Sequence, residues 1–242
     1  MNPVEFCRDA AAPPGSNFHY ATLFHTAGER RDLYALFALR AEILRIVAGT
    51  PDAVVAAMRR SWWSDELARV ATRQARHPVG MELQRLAERI QLDVPALRYF
   101  AAAGGTLPEP ADLDRGAPGT AAGIWDAAAR ACGVSAADAI AAAIRAGTLV
   151  DAVENLASRR PAAAESVSIR PADLGRHLAS ASRELAGRDA ARAEFCRIMT
   201  GLSAALCAEM EADGTAIRQS RVSLTPLRKL WIAWRIHRRR PA

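Results

Sequence analysis

Aromatic residues are scarce in this 242-residue chain, 6% in all, and β-branched residues rarely cluster. Little is left that favours a pleated sheet, while the abundant Ala, Leu and Arg favour helix. No stretch approaches the ~18 consecutive apolar residues that a membrane-spanning helix needs. The N-terminus Met1-Asn2-Pro3-Val4-Glu5 carries no basic region followed by an apolar one, so an export leader is not expected there. Four cysteines (Cys7, Cys132, Cys196, Cys207) form no CxxC pair and no regular spacing, which points to buried, reduced thiols in a cytosolic compartment. His19, His25, His77, His177 and His237 are scattered without HxxxH or HExxH spacing, so a zinc site is not expected. The absence of GxSxG, of GxxxxGK[ST] and of a strand followed by a glycine-rich turn and a helix sets aside the common hydrolase, NTPase and dinucleotide readings.

What is present is enough apolar residue, 50% of the chain beside 24% charged, to bury a full core. No fixed-period repeat is evident. The thirteen prolines fall mostly in short breaks where each begins or ends a helix, which predicts eight to ten helices. The spacing of apolar residues places them at 16–26, 30–48 (broken from the first by Gly28), from Thr50-Pro51-Asp52 to about 72 (with Thr50 as the cap, Pro51 just inside it and Asp52 in the first turn), from His77-Pro78-Val79 through Ile90, and from Asp93-Val94-Pro95 through Phe100. Thr106 to Gly119 reads as the longest irregular segment. Helices resume near 120–131, 135–158, 171–187, 189–212 and 223–239. The expected fold is all-α, a single-domain helical bundle over 1–222, followed by a basic C-terminal helix over 223–242 that belongs to the same domain or lies at its periphery.

The net charge of +6 is unevenly placed. From Gly214 onward the chain carries eight basic residues and no acid, which leaves −2 on everything before it. Pro226 opens a helix in which Leu227, Leu230, Trp231 and Trp234 share one face, with Arg228, Lys229, Arg235, Arg238 and Arg239 over much of the remainder. Such a helix either lies on an anionic membrane surface or closes the protein's own core with its apolar stripe. Without a reading motif and with basicity confined to one end, nucleic acid is not expected as a partner.

Several short motifs occur in a fixed order: Gly15-Ser16-Asn17-Phe18, Ala35-Leu36-Phe37-Ala38-Leu39, Trp62-Trp63-Ser64-Asp65, His77-Pro78-Val79, Gly119-Thr120-Ala121-Ala122-Gly123 and Ile169-Arg170-Pro171-Ala172-Asp173-Leu174. In content and spacing they resemble the squalene/phytoene synthase superfamily, whose bundle is the terpenoid synthase fold. That resemblance implies a pocket built from Phe18, Phe37, Arg40, Leu44, Arg45, Trp62 and Trp63. The superfamily's enzymes condense prenyl diphosphates head to head and hold them through Mg²⁺ with aspartates at i and i+4, a spacing that puts both carboxylates on one helical face.

Laid on the first aspartate-rich motif, those positions here are Leu44 and Ala48, and the neighbouring aspartate is Arg45. The second motif offers Asp151 and Glu154 at i, i+3, which also read as an ordinary exposed or capped helical pair. Glu42-Ile43-Leu44-Arg45 instead resembles the branch that includes the mitochondrial respiratory complex I assembly factor. The resemblance therefore implies a cytoplasmic binding or assembly factor, peripheral to the inner membrane. Its implied partners are complex I subunits, other membrane-associated proteins or an isoprenoid lipid, and no cofactor is implied. The alternative is a divergent prenyltransferase, with Mg²⁺ held by Glu42, Asp151 and Glu154. Glu42 and Arg45, one turn apart, are expected to form an ion pair. Of Trp62 and Trp63, about 100° apart on a helix, one is expected to point inward and the other to lie at a helix interface.

Overall fold

In the computed structural model, residues 2–105, 113, 119–158, 170–187, 189–213 and 222–239 are described. They form eleven helices and no strand: α1 (Pro3–Ala11), α2 (Asn17–Thr22), α3 (Ala27–Gly49), α4 (Ala53–Ala71), α5 (Pro78–Ala87), α6 (Val94–Ala103), α7 (Ala122–Ala131), α8 (Ala137–Ser158), α9 (Pro171–Glu184), α10 (Glu194–Asp213) and α11 (Pro226–Arg238). The all-α class is as expected. Contacts gather the chain into two compact units, Met1–Thr106 with Thr120–Gly133 and Leu107–Gly119 with Val134–Ala242. The first contains α1 to α7, the second α8 to α11. The segment read as a long loop lies almost wholly outside the described residues.

Local capping chemistry explains where the helices start. Pro3, Pro78, Pro95, Pro171 and Pro226 all sit in first turns, where a missing N–H costs nothing and φ is already set. The periodicity reading missed α1, although Asn2 followed by Pro3, with Glu5 in the first turn, is a cap signal and the Asn2 side chain accepts from the Val4 amide. Gly28 does not break a helix. Thr26 and Glu29 form a reciprocal capping box that starts α3 one residue before the glycine. Thr50 does not cap α4 either; Asp52 does, accepting from the Val54 and Val55 amides at 2.8 and 3.2 Å.

α3 is the axis of the first unit and packs on α1, α4, α5 and α7. Leu33, Leu36, Leu39 and Ile43 are fully buried along it, with Trp125 of α7 and Phe100 of α6 among the largest side chains of the same core. Amid this apolar burial lies a charged network. The Arg31 guanidinium donates two bonds to Glu82, at 2.7 and 2.8 Å. Arg85 bridges Glu82 (3.0 Å) and Asp32 (2.5 Å), and Arg89 reaches the other Asp32 oxygen. The Asp32 and Glu82 carboxylates are buried, whereas all three arginines keep partial contact with solvent.

In the second unit α8, α9 and α10 pack against one another, and α11 packs on α10. Phe195, Ile198 and Leu202 of α10 are fully buried, together with Leu178 of α9 and Val153 of α8. Polar ties complete it. Arg145 of α8 pairs with Glu184 of α9, and Asp189 accepts from the Ser135 and Ala136 amides at the start of α8.

Removing a buried carboxylate strands its cationic partners, a loss of about 3 kcal/mol where the pair is buried. Asp32→Ala is therefore expected to lower the unfolding free energy by about that amount in a denaturant titration, because Arg85 and Arg89 lose their shared acceptor. An unchanged midpoint would show that the network contributes nothing net.

Candidate functional site

On the first unit, α3 and α4 enclose a cleft of about 350 Å³ lined by Glu42, Arg45, Ile46, Arg59, Trp62 and Trp63. That volume is at the lower end of small-molecule sites. Arg45 donates to Glu42 at 2.7 Å, so the expected ion pair is present, one helical turn apart on α3. Across the cleft, Arg59 donates to the Thr50 hydroxyl at 3.1 Å. The lining thus combines two guanidinium groups, one carboxylate already engaged by one of them, and two indoles. The charged groups of such a lining suit an anionic head, and its indoles suit an apolar body.

Trp63 is 4% exposed and Trp62 44%, so one ring points inward as expected. What periodicity could not show is the third member of this cluster. The His77 imidazole meets Trp63 at 4.8 Å, Trp62 at 5.7 Å and Phe6 at 5.2 Å, each edge-on. His77 also caps α5, its Nδ1 accepting from the Val79 amide at 3.2 Å, which assigns the ring proton to Nε2. Burial holds its pKa below the ordinary 6.5, outweighing the opposite pull of Glu42 and Glu66.

Glu66 positions that imidazole and was not singled out from the sequence. Its carboxylate is fully buried; one oxygen accepts from the Arg76 and His77 amides, both at 2.7 Å, and the other from Arg69 at 2.8 Å. The signal was available: an acid at i+3 from Trp63 on a face that is otherwise Leu67 and Val70. Gly80 leaves the carboxylate its space, since a Cβ there would lie 2.4 Å from Glu66 Oε1. Desolvation raises the Glu66 pKa, but the His77 amide, Arg69 and the Arg76 amide outweigh it and hold the carboxyl below its ordinary value of 4.5. Glu82 behaves alike, with Arg31 and Arg85 overcoming its burial.

Of the residues implied for the pocket, Arg45, Trp62 and Trp63 line this cleft. Phe18 and Phe37 are buried with their rings 4.4 Å apart, and Phe37 meets Trp125 edge-on at 5.2 Å. The Arg40 guanidinium lies 6.0 Å from the Phe37 ring. Leu44 is half-buried, with its Cδ2 against Gly105, and Ala48 is exposed. Asp151 and Glu154 are half-buried, one turn apart on α8 in the second unit. Among the described residues no group of three or more His, Cys, Asp and Glu side chains is arranged to hold a metal ion. All four cysteines are buried, and burial pushes the Cys7, Cys196 and Cys207 thiols up to about 12.

Compared with known protein families, residues 11–150 match the family model described as squalene/phytoene synthase, more than half of the chain. The chain belongs to the squalene/phytoene synthase family. The match contains the cleft and His77 with Trp62, Trp63 and Glu66, and it stops just short of Asp151 and Glu154. No curated protein matches the chain. Family membership carries the terpenoid synthase-like, all-α class with it, in agreement with the eleven helices.

On the C-terminal helix, Trp231, Trp234, Arg228, Arg235, Arg238 and Arg239 are exposed. Lys229, grouped with them by its charge, is instead buried, 8% exposed, because it falls on the face that packs toward α10. No helix among the described residues is long and apolar enough to cross a membrane.

Two outcomes follow from this geometry. Trp63→Ala is expected to cost about 3–5 kcal/mol, as for other buried large-to-small changes, while Trp62→Ala stays within about 0.5 kcal/mol; equal losses by chemical denaturation would contradict the assignment of inward and outward rings. As for pH, a folded-state pKa held below the unfolded one means that the unfolded chain binds the extra proton, so stability is full above the unfolded value and falls on acidification. Stability is expected to begin falling below pH 6.5 through His77 and to fall further below 4.5 through Glu66 and Glu82. Glu66→Gln should flatten the lower limb of a plot of Tm against pH; an unaltered limb would remove Glu66 from the account.

Proposed function

We propose that this chain is a non-catalytic member of the squalene/phytoene synthase family: a cytoplasmic binding or assembly factor, peripheral to the inner membrane, related in role to the complex I assembly branch. Complex I subunits, other membrane-associated proteins or an isoprenoid lipid are its partners, and it needs no cofactor. The observation that carries this reading is the Glu42–Arg45 pair on α3. Where the resemblance places the metal-binding aspartates, the helix has Leu44, Arg45 and Ala48, and the carboxylate among the cleft's lining residues, Glu42, is held by the Arg45 guanidinium.

The residues present there do not fit Mg²⁺. A hard cation wants several carboxylate oxygens; Leu44 and Ala48 supply none, and Arg45 adds a positive charge where the ion would sit. Without a charge clamp for the departing diphosphate, prenyl condensation loses the interaction that stabilises its leaving group. The cleft keeps what binding requires, an indole wall and guanidinium groups. A divergent transferase using Glu42, Asp151 and Glu154 would first have to release Glu42 from Arg45.

Calorimetry with a non-hydrolysable farnesyl diphosphate analogue, with and without Mg²⁺, tests the reading. The expected result is a heat of binding, or its absence, that Mg²⁺ leaves unchanged. Binding that appears only with Mg²⁺ would overturn the proposal and return the chain to the enzymes.

A further inference from the structure

α11 is fastened to the second unit by one face and presents the opposite face outward. At about 100° per residue, Lys229, Ile232, Ala233 and Ile236 fall on one side of the helix. Lys229, Ile232 and Ala233 are buried. The approach to α10 is close: a Cβ at Gly201 would lie 2.7 Å from Ile236 Cδ1 and 3.5 Å from Ile232 Cγ2. Two side-chain ties hold the ends, His237 to Glu194 at 2.7 Å and Arg228 to Glu209. Thr225 caps the helix start, accepting from the Arg228 amide. The helix therefore has its packing partner already, and it is not the stripe of Leu227, Leu230, Trp231 and Trp234 that closes the core.

That stripe faces water. Leu227 is 80% exposed, Trp231 52% and Trp234 42%, with Leu230 beside them. A helix does not ordinarily leave two indoles and two leucines together on its solvent side. The charges that α11 itself contributes have one sign, since Val222 to Arg239 contains no acid; Arg228, at its start, is paired with Glu209 of α10. Arg235 stacks over Trp231 at 4.3 Å and Arg238 over Trp234 at 5.1 Å, so each indole carries its own guanidinium at the i+4 position.

We infer that the outward face of α11 docks flat on an anionic phospholipid bilayer, with Leu227, Leu230, Trp231 and Trp234 in the headgroup boundary and Arg235, Arg238 and Arg239 on lipid phosphates. The inference rests on the reading of this chain as a peripheral membrane protein and assigns the surface responsible. Charge complementarity selects the occupant. An apolar stripe with interfacial indoles, each stacked by an arginine of its own helix, is the pattern of helices that lie in the plane of an anionic interface. Arginine and tryptophan both place an apolar body below a polar tip, which suits that boundary. Because the inward face is already packed, docking requires no unfolding of α11, only contact of a preformed surface.

The test is co-sedimentation of the full chain with vesicles of phosphatidylglycerol mixed with phosphatidylcholine, and with phosphatidylcholine alone. The expected result is binding to the anionic vesicles that weakens as salt is raised. Arg235→Glu with Arg238→Glu, and separately Trp231→Ser with Trp234→Ser, should each weaken it by at least about tenfold. Circular dichroism melts matching the parent would show that these exposed substitutions leave the fold intact. Equal binding to neutral vesicles, or variants that bind like the parent, would overturn the inference. So would a parent chain that is dimeric by light scattering and becomes monomeric in the Trp variant, because the face would then belong to a second copy. A chain that docks as expected but binds the diphosphate analogue only with Mg²⁺ would sink the non-catalytic reading and leave the docking surface standing.

Discussion

The buried carboxylates of Asp32 and Glu82, shared among Arg31, Arg85 and Arg89, hold α3 against α5. Removed from water, each carboxylate would be a large penalty, and only the density of guanidinium donors around it makes burial tolerable. The candidate cleft of the first unit depends on that registration. With α3 fixed on α5, Glu66 of α4 can reach the amides at the start of α5, His77 is carried between the indoles of α4 and the ring of Phe6, and α3 and α4 line the cleft between them. Gly80 is the small residue that lets the Glu66 carboxylate lie there.

Carboxylates in this unit are consistently put to structural use. Asp32, Glu66 and Glu82 are buried and bound to arginines or backbone amides, and Glu42 is bound to Arg45. A family whose enzymes are understood through carboxylates on a metal here presents acids occupied by cations of the chain itself. The same theme continues in the second unit, where Glu194 engages His237 and Glu209 engages Arg228, and there it fastens the helix whose outer face carries the exposed indoles. The proposed binding role rests on this distribution of charge.

Much of this was legible from residue patterns alone. The all-α class, the helix starts at His77-Pro78, Asp93, Pro171 and Pro226, the Glu42–Arg45 pair and the inward turn of one indole all follow from periodicity, caps and helical spacing. Boundaries failed where a stronger local cap competed. Asp52 took the role expected of Thr50, and the Thr26–Glu29 box carried α3 through Gly28. Asp32 and Glu82 were not legible because they look like surface acids on amphipathic helices; only tertiary packing, which brings residues some fifty positions apart into contact, shows that they are buried, whereas Glu66 left a local signal on the face of Trp63, Leu67 and Val70. Lys229 misled for the converse reason, its charge suggesting solvent on a helix face that packing covers.

The central claim is that the chemistry of the condensing enzymes has been replaced by a surface for binding. It is tested most directly by incubating the purified chain with farnesyl and geranylgeranyl diphosphate in the presence of Mg²⁺ and following release of inorganic diphosphate. Release no faster than in the absence of protein is expected, for the parent and for Glu42→Gln alike. Sustained turnover that is abolished by Glu42→Gln or by substitution of Asp151 would contradict it.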